Sequence, residues 1–262
     1  MTRPVLRIRF IELGALLLIL GIGAAIMLPA LSRSREASCR ASCQNNLKQL
    51  GIVTKMYASE SKGDVYPPMS PIPENWMFDL DKVYPEYLSD LSILVCPSSP
   101  FSTPPPFVLR GNIEHPGAAI GVPHPDCVSS LFYVYTNHAI LSDEQAVAVF
   151  GAYHEVPTEV FNSMDLDLNV PVWDESPWAH NDSPPWMGGG QAAIPIMWDR
   201  VPLAVEDFAH VPMGGNVLHM DGHVEFVKYS YYNNSSYFPM TAVSGETFGS
   251  VLPQLSRDCY GW

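Results

Sequence analysis

The stretch Leu13-Gly-Ala-Leu-Leu-Leu-Ile-Leu-Gly-Ile-Gly-Ala-Ala-Ile-Met-Leu-Pro-Ala-Leu31 decides the fold, because it runs nineteen residues without a charge. A helix of that length crosses the hydrocarbon core of a bilayer. A cleaved secretory signal has a shorter apolar run that ends in small residues at a cut site. Here the run passes into Ser32-Arg-Ser-Arg-Glu-Ala-Ser-Cys-Arg-Ala-Ser-Cys43 with no break, so the segment reads as a retained anchor. Arg3, Arg7 and Arg9 precede it and favour a cytoplasmic N-terminus with an exported body. Arg33 and Arg35 follow it and pull the other way. Five cysteines suit an oxidising compartment outside the cytoplasm.

Beyond the anchor the pattern changes without leaving the helix. Cys39, Cys43, Leu47, Leu50, Val53, Met56 and Tyr57 recur at intervals of three and four, which predicts one apolar face of an amphipathic helix. Asp64 and Pro67-Pro68 end it. The organisation expected is a membrane segment over 1–31, an amphipathic stem over 32–60 and a head over 61–262. The head is rich in proline, which favours loops and short strands over long regular elements. Apolar residues at 47% and aromatics at 11% are enough to build a core rather than a disordered chain.

Charge divides the chain. Residues 1–60 carry eight basic against three acidic side chains, and the remainder six against twenty-four, giving +5 and −18. An acidic head repels phosphate backbones, so nucleic acid is excluded as a partner class. Glu12 stands at the mouth of the apolar run, where a carboxylate is costly unless it snorkels or is paired, and it is therefore a functional candidate.

In the head, the stretch from Trp76 to Ser99, Trp-Met-Phe-Asp-Leu-Asp-Lys-Val-Tyr-Pro-Glu-Tyr-Leu-Ser-Asp-Leu-Ser-Ile-Leu-Val-Cys-Pro-Ser-Ser, suggests a short helix followed by a strand. Leu131–Tyr135, Ala146–Tyr153 and Ala193–Trp198 read as β-prone pieces, and 101–195 as an irregular insertion. The clearest local signal is Asn216-Val-Leu-His-Met-Asp-Gly-His-Val-Glu-Phe-Val227. Asp221-Gly222 between two apolar-rich runs predicts a hairpin with a two-residue turn. That turn pairs Met220 with His223, His219 with Val224 and Leu218 with Glu225, and it puts His219 and His223 on opposite faces. With that register His210, His219, Asp221 and His223 do not converge, and no zinc-ligand spacing is present, so no metal site is expected. No nucleophile elbow, P-loop or dinucleotide fingerprint occurs either, and no enzymatic activity is expected.

The N-terminal residues resemble type IV prepilins, whose signature is Gly-Phe-Thr-Leu-x-Glu before a hydrophobic helix. With Glu12 aligned, Arg7 falls on the Gly after which those proteins are cut and Ile8 on the residue that becomes the methylated N-terminus. Pro29 lies seventeen residues after Glu12, the spacing of the kink-forming proline of pilin helices. The resemblance implies a pilin-like α+β fold, a long N-terminal helix packed on a small antiparallel sheet, and assembly of like subunits through Glu12. Arg7 in place of Gly makes an uncleaved, membrane-resident protein the rival outcome.

Further along, Cys43-Gln-Asn-Asn-Leu-Lys-Gln49, Cys96-Pro-Ser98, and His210 followed after ten residues by Asp221-Gly222-His223 are similar to a bacterial family of prepilin-like proteins. Those chains share the first motif and close with a His, about nine residues, then Asp-Gly. Asn216 also matches, within the Asn-Val-Leu that precedes the turn. The resemblance implies a disulfide between Cys43 and Cys96 that ties stem to head. Cys39 is the rival partner, Cys127 and Cys259 could form a second bridge, and sequence alone does not fix the connectivity of five cysteines; an odd count leaves at least one thiol free or intermolecular.

The function implied is a pilin- or pseudopilin-like structural or interaction subunit, single-pass in the inner membrane, with its head in the periplasm or at the cell surface. The alternative is an anchored module that binds glycan or an envelope protein, through the tryptophans at 173, 178, 186 and 198 if they are exposed. No cofactor is expected unless calcium enters a head loop, as in some secretion pseudopilins. Asp165-Leu-Asp167-Leu-Asn169 has the start of a calcium loop but lacks its Gly and distal Glu.

Overall fold

A computed structural model describes residues 10–62, 65–99, 102, 107–163, 191–229, 238–250 and 255–260. Helix α1 runs unbroken over Phe10–Glu60, 51 residues with Pro29 inside it. At 1.5 Å per residue that is about 77 Å, roughly two and a half times the thickness of a bilayer's apolar core. The two halves differ in what covers them. Leu13–Leu31 is exposed throughout except for half-buried Gly23, and none of its apolar window is buried in the fold. In the second half Cys43, Leu47, Leu50, Thr54 and Ala58 are buried at helical spacing. Met56, expected on that face, is exposed: at 100° per residue it lies about 220° around from Cys43, whereas Thr54 lies within about 20°. Thr54 is tolerated there because its hydroxyl donates to the Gly51 carbonyl at 3.1 Å.

The buried face of α1 rests on a four-stranded antiparallel sheet, β1 (Tyr133–Tyr135), β2 (Pro195–Asp199), β3 (Gly214–His219) and β4 (Val224–Lys228), paired in that order. Strands β2 and β3 are buried along their whole length, and β2 is accordingly apolar from Pro195 to Trp198. Alternation sets what each face carries. Tyr133, Asp199, Asn216, Leu218 and Phe226 look towards the stem, with Leu218 packed where a Gly51 side chain would begin. Val134, Trp198 and Val217 look the other way. There Trp198 meets Phe238 and Phe248 at 5.5 and 5.7 Å between ring centroids, and Phe248 in turn meets Trp76 at 4.7 Å. Trp198 is therefore a core residue; Trp173, Trp178 and Trp186, with Asp165–Asn169, lie outside the described residues.

Four sequence expectations change. Ala146–Tyr153 is not a strand but the middle of a helix over Asp143–Glu155. Ser142 caps it by accepting from the Gln145 amide, acidic residues fill its first turn, and Ala146, Val149 and Tyr153 form its buried stripe. The short helix after Trp76 forms at Leu80–Val83, but the strand expected next is a 3₁₀ turn over Leu91–Leu94, capped by Asp90. The span 101–195 is less of an insertion than expected, because its described part supplies β1 and the Asp143–Glu155 helix to the common core.

The fourth change is the hairpin register. The observed pairs are Leu218 with Val224 and Val217 with Glu225, one residue off the expected set. Met220, Asp221 and Gly222 make a three-residue loop: the Gly222 amide donates to the His219 carbonyl at 2.8 Å, and Gly222 alone takes positive φ, at 97°. This is a turn closed by a left-handed glycine rather than the two-residue type that needs positive φ twice. The slip makes His219 and His223 cross-strand neighbours, their rings stacked at 4.2 Å and 5°.

Candidate functional site at the stem-to-head junction

Where α1 meets the sheet, side chains from five segments converge in one buried polar cluster. Cys43 comes from the stem, Cys96 from the loop after Leu94, His210 from the loop before β3, Asp199 from the end of β2 and Asn216 from within β3. All five are at most 3% exposed. His210 Nδ1 lies 3.1 Å from Glu36 Oε1 on the stem, and its Nε2 lies 3.1 Å from Asp199 Oδ2 and 3.6 Å from Cys96 Sγ. Asp199 Oδ2 accepts from the Asn216 backbone amide at 2.6 Å and side-chain amide at 2.7 Å. Asn46, one turn past Cys43, donates to the Val95 carbonyl at 3.0 Å and so fixes the Cys96 loop against the stem.

Electrostatics tie these groups together. A hydrogen bond from Cys96 pulls the Cys43 thiol down to about 6, against the opposing effect of burial and with help from His210. Cys96 is pushed up by the same bond, by burial and by the Asp199 charge. Burial opposes charge on His210, but Asp199 and Cys43 outweigh it and raise the imidazole to about 10. Cys43, Cys96, His210 and Asp199 thus hydrogen-bond to one another where they are buried, the condition under which buried polar and charged groups are tolerated.

The hairpin follows the stem from Arg40 to Lys55, about four turns. The Arg40 guanidinium stacks 4.7 Å over the Phe226 ring, Leu218 meets Gly51, and Lys55 Nζ donates to the Asp221 carbonyl at 2.6 Å. The residues of the His…Asp-Gly signature therefore hold the head on the stem at both ends: His210 and Asn216 near Cys43, Asp221 and Gly222 beside Lys55.

Cys43 and Cys96 come together, but as free thiols; the disulfide implied between them is not formed. They are held instead by hydrogen bonding with His210. The bond that does form is Cys127–Cys259, and half-buried Cys39 is also free. Glu12 and Pro29 lie in α1, Glu12 with only its backbone described, while Arg7 and Ile8 lie outside the described residues. Sequence reasoning missed Glu36, although it sits seven residues, two helical turns, before Cys43 and hence on the same face.

His219 and His223 form a second cluster with Glu225, the three donor atoms within 4.8 Å. Parallel ring planes keep their in-plane lone pairs from meeting at one ion, so the stack is not a preformed metal site. Burial, helped by the neighbouring His223 charge, pushes His219 down to about 4 from its usual 6.5. The unfolded chain then takes up a proton before the folded one does. Stability is full above about 6.5 and is lost as pH falls towards about 4, by as much as about 3 kcal/mol at 1.36 kcal/mol per unit. His219→Phe is expected to remove that acid-side loss, as read from urea midpoints at pH 7 and pH 4.5.

Compared with known proteins, residues 32–71 match the family described as "Protein of unknown function (DUF1559)", a segment that holds Cys43–Gln49 and the whole docked half of the stem. No curated protein and no solved structure matches the chain.

Proposed function

We propose that the chain is a membrane-anchored, pilin- or pseudopilin-like structural subunit of the bacterial cell envelope, whose stem spans the bilayer and presents the head outside the cytoplasm. One observation carries this reading: a single 51-residue helix is bare and apolar along its first half and docked on a sheet along its second. A soluble protein has no use for nineteen uncovered apolar residues, whereas lipid or the stems of like subunits cover them at no cost. The Cys127–Cys259 bridge fits an oxidising compartment and so an exported head. The role is structural rather than catalytic, because Cys43 and His210, the pair a nucleophilic mechanism would recruit, are buried between stem and sheet and already engaged with Cys96, Asp199 and Glu36.

N-terminal sequencing and intact mass of the membrane-extracted protein test the pilin pathway. A chain that begins at N-methylated Ile8 would support the pilin pathway. A chain that still begins at Met1 would reject processing and leave an anchored binding module, the outcome that Arg7 at the cleavage position favours.

A further inference from the structure

We propose that Cys43, Cys96 and His210 form a zinc site that fastens the stem to the head. The sulfurs of Cys43 and Cys96 and a ring nitrogen of His210 all lie within 4.8 Å of one another, and each residue is at most 1% exposed. Zinc binds thiolate at about 2.3 Å and imidazole at about 2.0–2.1 Å, so two such ligands of a tetrahedral ion stand about 3.5–3.6 Å apart. Cys96 Sγ and His210 Nε2 stand 3.6 Å apart.

The surroundings match those of a histidine ligand. With the ion bound, Glu36 Oε1, 3.1 Å from Nδ1, accepts the proton on that nitrogen and leaves Nε2, 3.6 Å from Cys96 Sγ and 3.2 Å from Asn216 Nδ2, as the ligand atom, the carboxylate–histidine arrangement that orients zinc-bound imidazoles. Asp199 lies against the triad with Oδ2 3.1 Å from Nε2, and its buried Oδ1 has no hydrogen-bond partner among the described residues. A cavity of about 520 Å³, lined by Cys96, Phe132, Arg200, Asp207 and Ala209, reaches the cluster from the surface and gives the ion a way in.

Binding leaves no redox change. Both sulfurs bind as thiolates and His210 as neutral imidazole, and the protons they shared pass to water. In the same molecule Cys127 and Cys259 are oxidised to a bridge while Cys43 and Cys96 are not. The inference does not depend on whether the N-terminus is processed or the stem polymerises.

The test uses the full chain extracted in detergent without reductant or chelator. Expected are about one zinc per chain by elemental mass spectrometry and three alkylatable thiols after denaturation in chelator. Cobalt added to the chelator-treated protein is expected to give thiolate-to-cobalt charge-transfer absorption. Cys96→Ser should weaken zinc binding at least tenfold, while Cys39→Ser leaves it unchanged. Should Cys96→Ser fail to fold, the wild-type metal content, thiol count and cobalt spectrum still decide. A single alkylatable thiol, with an intact mass showing two disulfides and no bound metal, would overturn the site. So would equal loss of zinc in Cys39→Ser and Cys96→Ser.

Discussion

His210→Ala, studied in chelator so that no metal contributes, is expected to destabilise the head by about 3–5 kcal/mol, the cost of leaving a buried charge without its partner. Asp199 keeps both Asn216 donors in the variant but loses the cation 3.1 Å away, and it is only 3% exposed. An independent route gives the same order. His210 is held at about 10 against a usual 6.5, and at 1.36 kcal/mol per unit this is about 5 kcal/mol. For a chain of this size each kcal/mol moves the melting temperature by about 2–4 °C, so a fall of about 6–20 °C is expected in a thermal scan near pH 6.

The pH dependence separates this effect from lost packing. A histidine raised in the folded state stabilises fully below its unfolded value and loses that contribution as pH rises through its folded one. The gap between wild type and His210→Ala should therefore shrink between about 6.5 and about 10. Asp199→Asn added to His210→Ala removes the orphaned charge, and the double variant should fall short of the summed single losses by about 0.5–3 kcal/mol. Strict additivity would show that the two side chains are not coupled.

How much of this was legible in the sequence depends on the range of the interaction. The anchor needs only a run of uncharged residues, and the stem only a three-and-four repeat, so both can be read locally. The hairpin is local as well, but its register turns on whether Met220 belongs to the strand or the loop, and Asp221-Gly222 satisfies either turn. The helix over Asp143–Glu155 was hidden by Ala146-Val-Ala-Val149, whose alternation imitates a strand; the Ser142 cap and the acidic first turn were the better guide. The junction was only half visible. Motif resemblance drew Cys43 and Cys96 together, but His210 reaches Cys96 across 114 residues and Glu36 across 174. No pattern of spacing encodes a contact of that range. Only the folded sheet, by alternation along β2 and β3, turns Asp199 and Asn216 to the same side.

Removing the Cys127–Cys259 bridge, by Cys127→Ser with Cys259→Ser, is expected to cost about 2–5 kcal/mol. The bond spans 132 residues, and the loop-entropy relation for a loop of that size gives about 5 kcal/mol as the upper end. What the bond holds is specific. Near Cys259, Asp258 accepts the backbone amides of Ile113, Glu114 and His115 at 2.8–3.0 Å, so the C-terminal turn organises the segment that follows Arg110. His115 adds to this clamp, bridging Asp126 at 2.6 Å and Asp258 at 3.1 Å, and its imidazole is raised first by the Asp126 hydrogen bond and then by that of Asp258. Severing the bridge should therefore release residues 110–126 and 255–260 together, well before the stem-facing core opens. Hydrogen exchange is expected to speed up at those two segments while Cys43–Ala58 and β3 keep their protection at mild denaturant. Uniform acceleration across the head would mean instead that the bridge and the stem junction belong to a single cooperative unit.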